Sequence, residues 1–230
     1  MILNSANRYY SHKLSAEKLQ LCYEIAPPRV KQYLEAEIEF IMKKIKPSDM
    51  VLELGCGYGR VLEKLSSKAK TVIGIDTSYA SLFLAQEILS NDPQCYLLAM
   101  DAVKLGFTDR LFDKVFCIQN GISAFGVDQR KLIEETMRVT CSGGKVFFSS
   151  YSDRFWKDRL QWFRIQSEHK LIGEIDEEAT GHGVIVCKDG FRATTVSPDD
   201  FLSLTSHLDL HPIIAEVNSS SIFYEIQVEP

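Results

Sequence analysis

The sequence lacks the marks of a secreted, membrane-spanning or nucleic-acid-binding protein. Its six cysteines, at 22, 56, 95, 117, 141 and 187, are scattered and contain no C-x-x-C pair. Neither a disulfide framework nor a zinc site is signalled, no metal is expected, and the thiols read as small core hydrophobes. No uncharged apolar run approaches the roughly 18 residues of a membrane span. The polar start MILNSANRYYSHK lacks the apolar core of a signal peptide, so a soluble, cytoplasmic protein is the expectation. A basic excess is missing too: 26 Lys and Arg stand against 31 Asp and Glu, for a net charge of −5. That disfavours nucleic acid as a partner, because phosphate binding leaves a basic footprint. What remains is ordinary globular composition, 45% hydrophobic and 25% charged over 230 residues, enough for a core that needs no staples. Nothing in it speaks to the oligomeric state.

Residues 1–26 read as a polar leader carrying Tyr9, Tyr10 and Tyr23. Pro27 and Pro28 then open a segment in which Val30, Leu34, Ile38, Ile41 and Ile45 recur at helical spacing, closed by Pro47-Ser48-Asp49. Nearly continuous apolar runs follow at 51–54, 71–75, 95–98, 114–118 and 145–149, with helical stretches over 60–67, 79–89 and 129–139. Strands apolar on both faces, alternating with helices, predict a parallel sheet covered on both sides. After Tyr151 the pattern changes. Asp153 is a candidate cap for a helix to about His169 that holds Phe155, Trp156, Trp162 and Phe163, spaced for core packing rather than for an aromatic binding wall. Val184–Cys187 and Phe191–Val196 flank Lys188-Asp189-Gly190, a hairpin signal, and Ser197-Pro198-Asp199-Asp200 starts another helix. The closing runs, 213–217 and 222–228, are joined by Asn218-Ser219-Ser220, too short for a parallel crossover. These two strands must be antiparallel.

The strongest local feature is Glu53-Leu54-Gly55-Cys56-Gly57-Tyr58-Gly59-Arg60, where a strand runs through three glycines into a helix. Without Cβ atoms such a loop lets a ligand approach its backbone. The dinucleotide pattern G-x-G-x-x-G needs glycine where Arg60 stands, and a pyrophosphate has no use for the acid at 53. Glu53 instead suits a ligand carrying an ammonium group. A nucleotide-dependent oxidoreductase is therefore disfavoured.

Glu53-x-Gly55-x-Gly57-x-Gly59 resembles the first motif of the class I S-adenosylmethionine-dependent methyltransferases. The resemblance covers residues 47–150 motif by motif and 213–228 by topology. It implies an α/β, Rossmann-like, doubly wound seven-stranded sheet, mostly parallel with a terminal antiparallel strand pair, here with a small hairpin-containing cap. It also implies S-adenosyl-L-methionine as cofactor and S-adenosyl-L-homocysteine as product. The family's second signature falls on Asp76, 21 residues beyond Gly55, whose carboxylate would accept both ribose hydroxyls; taken alone, Asp76 could equally cap the following helix. The third falls on Asp101, for the adenine amino group, with the next backbone N–H on the ring. The cofactor would be held by Glu53, Gly55, Cys56, Gly57, Gly59, Asp76, Thr77, Asp101, Ala102 and Gln119. At the strand tip the chain reads Gln119-Asn120-Gly121-Ile122, departing from the Asp/Asn-Pro-Pro-Tyr of enzymes that methylate base amino groups, so that reaction is demoted.

Methyl transfer is an in-line displacement that chiefly needs alignment, so a general base is optional. Tyr10, His12, Asn120 and His182 are the candidates on the acceptor side, with Asn120 nearest the reacting centre. The expected organisation is one domain over 1–230, with 1–46 as N-terminal lid and helix and 152–212 as a substrate-side insertion. The reading is methyl transfer to a small-molecule acceptor. A tRNA or protein methyltransferase and a non-catalytic cofactor-binding module stand as the alternatives.

Overall fold

The computed structural model describes Tyr9 and residues 13–229; the candidates Tyr10 and His12 lie outside them. The leader contains a short helix, α1 (Glu17–Glu24), and Pro28 sits in the first turn of α2 (Pro28–Met42), where its missing N–H costs nothing. The expected alternation follows: β1 (Met50–Leu54), α3 (Leu62–Ser66), β2 (Thr71–Asp76), α4 (Tyr79–Ile88), β3 (Cys95–Ala99), β4 (Phe112–Cys117), α5 (Gly121–Ala124), α6 (Gln129–Val139) and β5 (Thr140–Tyr151). A 3-10 turn (Asp153–Phe155) leads into α7 (Trp156–Glu168). Its cap is Ser152, whose Oγ accepts from the Arg154 N–H, so the cap lies one residue before the expected Asp153. Two-residue strands β6 (Ile185–Val186) and β7 (Arg192–Ala193) form the hairpin, shorter than the apolar runs suggest. Helix α8 (Pro198–Thr205), closed by a Ser197/Asp200 capping box, precedes β8 (Ile213–Val217) and β9 (Ser221–Gln227).

The seven strands lie in the order β3-β2-β1-β4-β5-β9-β8. Strands β1 to β5 are parallel, and β9 is antiparallel to both β5 and β8. The terminal pair is therefore as expected, with β9 inserted between β5 and β8. Alternate residues face opposite sides. Val51, Phe116, Phe147 and Phe223 pack with α2, α3 and α4, whereas Leu52, Val115, Phe148 and Tyr224 pack with α6 and α8. Order reverses between β1 and β4, and a crevice opens at that switch point beyond the strand ends. A third apolar cluster roofs it, joining Leu14 and Cys22 of the leader, Tyr33 and Leu34 of α2, and Tyr151, Trp162, Phe163 and Phe191. The leader is bound to this roof by Trp162 Nε1–H donating to the Cys22 carbonyl (2.9 Å) and Tyr9 O–H donating to Asp189 (2.9 Å).

Candidate active site

Beyond β1 the chain turns through Gly55, Gly57 and Gly59 with φ of 70°, 54° and 89°, a left-handed region that other residues enter only under strain. The Gly55 and Cys56 N–H groups both donate to the Ile75 carbonyl, at 2.8 and 2.9 Å, which fastens the loop to β2. A Cβ on Gly55 would lie 2.4 Å from the Phe125 ring, so position 55 has no room for a side chain.

Glu53 lies beside the loop, buried, and its Oε2 accepts no hydrogen bond among the described residues. Burial pushes its carboxyl up to about 8, with the Arg60 charge pulling it down and Asp76 pushing it further up. Arg60 makes no ion pair with it; the guanidinium sits over the Tyr23 ring, 4.6 Å from its centroid. A buried carboxylate oxygen without a donor is costly, and an ammonium group is the donor that relieves it best.

Asp76 braces the loop. Its Oδ2 accepts from the Gly57 N–H (2.9 Å) and its Oδ1 from the Ser78 N–H (2.7 Å). The cap of α4 is Ser78, whose Oγ accepts from Ser81, so the helix-cap alternative for Asp76 falls away. Each Asp76 oxygen keeps a lone pair for a further donor. Asp101 is exposed and uses only Oδ1, toward the Val103 N–H (3.1 Å).

One cleft brings together Glu53, Gly55, Gly57, Asp76, Thr77, Asp101, Ala102, Gln119 and Asn120. Two expected cofactor residues do not line it. Cys56 is buried in the cluster under α2, α3 and α4, and Gly59 faces Leu89 and Ala85, so both shape the loop from behind.

The tip of β4 is held by a buried acid that sequence reasoning missed. Glu37 of α2 accepts from the Gln119 N–H (2.7 Å), from Ser149 Oγ (3.0 Å) and from Ser221 Oγ. Burial pushes its carboxyl up to about 7 against these hydrogen bonds. The clamp keeps Gln119 and Asn120 at φ of 56° and 63°, a strained pair that needs such support. Both polar atoms of the Asn120 amide are engaged, accepting from Ser150 Oγ (2.8 Å) and donating to the Thr194 carbonyl (3.0 Å). His182 is a correction: it is exposed in the tight Gly181–Val184 turn and does not line the cleft.

The far half of the cleft is walled by Leu14, Tyr33, Tyr151, Trp162, Phe163 and Gln166, none of them singled out as site residues from sequence except as packing aromatics. Packing and lining are not exclusive here, since Trp162 and Phe163 do both. The readable signal was the stripe Arg159, Trp162, Phe163, Gln166, an i, i+3, i+4, i+7 set in which two polar residues share the buried face of α7.

The sheet order and the glycine loop at the switch point together define a Rossmann-like methyltransferase architecture. Residues 51–144 match a family described as a methyltransferase domain. The chain is 27% identical to the 2-methyl-6-phytyl-1,4-hydroquinone methyltransferase of Synechocystis over 67% of this chain and 55% of that protein. It is 34% identical to a malonyl-[acyl-carrier protein] O-methyltransferase of Marinomonas over 56% of this chain and 48% of the relative. The chain thus spans about half the length of these curated relatives. Other relatives are named as RNA methyltransferases. Among solved structures, the N-methyltransferase NodS of Bradyrhizobium japonicum in complex with S-adenosyl-L-homocysteine superposes over 99% of this chain and 100% of its own, with a TM-score of 0.63 at 14% identity. That likeness concerns the fold.

Proposed function

We propose that the protein transfers a methyl group from S-adenosylmethionine to a small-molecule acceptor. The observation that carries it is the buried Glu53 oxygen, without a donor among the described residues, beside a glycine loop whose position 55 has no room for a side chain. S-adenosylmethionine would supply a sulfonium methyl that an acceptor lone pair takes as the C–S bond breaks toward sulfur, and the proton displaced from a hydroxyl or amine acceptor leaves to solvent. This chain's residues bind and orient: Glu53 takes the ammonium, Asp76 the ribose hydroxyls and Asp101 the adenine amino group. Gln119, whose Nε2 has no acceptor among the described residues, faces the reacting end beside Asn120. Among the described residues no carboxylate or histidine lines the acceptor half. The tyrosines there are no bases either, because burial raises their hydroxyls: Tyr151 goes to about 12 and Tyr33 well above its ordinary value. Alignment and exclusion of water, rather than proton removal by a side chain, carry the rate.

The small-molecule reading is supported by the apolar acceptor half and by the lack, among the described residues, of a cation in the cleft lining to meet a phosphate backbone. Titration calorimetry with S-adenosylhomocysteine tests the cofactor site; clear binding of NAD and none of S-adenosylhomocysteine would overturn it. Incubation with labelled S-adenosylmethionine and a metabolite pool, with products identified by mass, tests transfer. Binding without any turnover to S-adenosylhomocysteine would favour a cofactor-sensing module instead, and label in tRNA alone would favour an RNA substrate.

A further inference from the structure

Resting on the methyltransferase reading, we infer that the acceptor is a flat, uncharged aromatic molecule, seated against the rings of Tyr33, Tyr151, Trp162 and Phe163 and oriented by the side-chain amide of Gln166. Charge makes the first argument. Among the described residues, every charged side chain lining the cleft is an acid of the cofactor half: Glu53, Asp76 and Asp101. An acceptor bearing a carboxylate or phosphate would lose its hydration there without meeting a cation, a cost of several kcal/mol. Two cations stack on rings that line the cleft, Arg60 on Tyr23 at 4.6 Å from its centroid and Arg159 on Tyr151, and neither is itself part of the described lining. Arg159 lies over Tyr151 and Phe163, 4.5 and 5.5 Å from their centroids, and donates to the Gly183 carbonyl (2.8 Å) from behind the wall. A protonated amine is disfavoured for a different reason: it has no lone pair to offer, and no described residue of the acceptor half would remove its proton.

Shape makes the second argument. Tyr33 and Tyr151 are tilted 40° to each other at 5.2 Å, and Trp162 stands edge-on to Phe163 at 5.9 Å. This wall offers π-faces and edges to a ring. The third argument is Gln166. It is only 3% exposed and lines the cleft, and its side-chain amide has no hydrogen-bond partner among the described residues. An amide that faces the cleft without a protein partner keeps its hydrogen bonds to water until a ligand's polar group replaces them. With one donor group and one acceptor it reads a hydroxyl, carbonyl or amide on the ring edge. Tyr33 and Tyr151 remain protonated and can donate but not abstract a proton.

The test uses the full chain saturated with S-adenosylhomocysteine and follows tryptophan fluorescence and calorimetry with three probes: 2-naphthol, 2-naphthoate and adenosine monophosphate. The expected result is saturable binding of 2-naphthol, binding of 2-naphthoate at least tenfold weaker, and no binding of the nucleotide. Gln166→Leu should weaken 2-naphthol about three- to tenfold, the scale of one hydrogen bond, and leave S-adenosylhomocysteine affinity unchanged. 2-Naphthoate binding as tightly as 2-naphthol, or no 2-naphthol binding to a protein that does bind S-adenosylhomocysteine, overturns the inference while sparing the methyltransferase reading. Unaltered 2-naphthol affinity in the variant overturns the role of Gln166. The wild-type comparison of neutral and anionic probes decides the charge argument even where the variant does not fold. Should S-adenosylhomocysteine itself fail to bind, the parent reading falls, and the same probes on the cofactor-free chain still report on the aromatic pocket.

Discussion

Glu53→Gln isolates the charge of a carboxylate that the fold keeps mostly protonated at neutral pH. With its carboxyl pushed up to about 8 by burial, about one molecule in ten carries the ionised form at pH 7. Pairing with an ammonium requires the ionised form, so binding must expel a proton. Reaching the charged state costs about 1.4 kcal/mol at pH 7 and almost nothing above pH 8. The association constant for S-adenosylhomocysteine should therefore rise with pH, about tenfold per unit at its steepest between pH 6 and 8. It should fall again only as the ligand's own ammonium loses its proton. The Gln variant keeps the shape but has no charge to uncover. It should lose the rising limb, keep the falling one, and bind about 1.5–3 kcal/mol more weakly at pH 8, the worth of a hydrogen bond to a charged group. Calorimetry in buffers of differing ionisation enthalpy counts the proton directly: close to one released at pH 7 for the natural chain, none for the variant. An affinity that falls from pH 6 to 8 in the natural chain, or a rising limb that survives in the variant, refutes the assignment of Glu53 to the ammonium.

Asp76→Ala should weaken S-adenosylhomocysteine binding by about 1.5–3 kcal/mol while the fold survives, because the carboxylate faces the ligand as well as the Gly57 and Ser78 amides; normal binding by calorimetry would reduce Asp76 to a loop brace. Glu37 holds its proton more tightly folded than unfolded, being raised from 4.5 to about 7, so its contribution is complete below pH 4.5 and is lost as pH climbs to 7. Up to about 3 kcal/mol is involved, and Glu37→Gln should flatten that part of the stability-versus-pH curve in chemical denaturation, which an unchanged slope would contradict. We further propose that the leader acts as a lid. Leu14, Leu19, Cys22 and Tyr23 all line the cleft, so hydrogen exchange over residues 14–26 should slow when S-adenosylhomocysteine is added; equal protection with and without it would make the leader a fixed wall.

The alternation of apolar runs and helical stretches, the glycine loop and its two downstream acids were legible in the sequence because each is local. A strand buried on both faces must be apolar throughout, and a loop that crowds Phe125 at Gly55 must drop its side chain there. The helix Gln129–Val139 was readable to the residue, since amphipathic periodicity acts within a turn or two, and the structure adds Asp128 as its cap. Other features depend on segments far apart in the chain. Sequence could require β8 and β9 to be antiparallel, but only packing decided that β9 enters between β5 and β8. Glu37 read as one more polar position on a helix; its burial follows from Gln119, Ser149 and Ser221 arriving from three other segments. His182, plausible beside two glycines, was left outside by the turn that carries it. The acceptor wall likewise draws on the leader, α2, β5 and α7, so its apolar, uncharged character belongs to no single stretch of sequence. Local pattern set the glycine-loop half of the cleft, where one loop and two strand tips suffice, and the apolar roof over the other half was decided by the tertiary structure, because it exists only where distant segments bury one another.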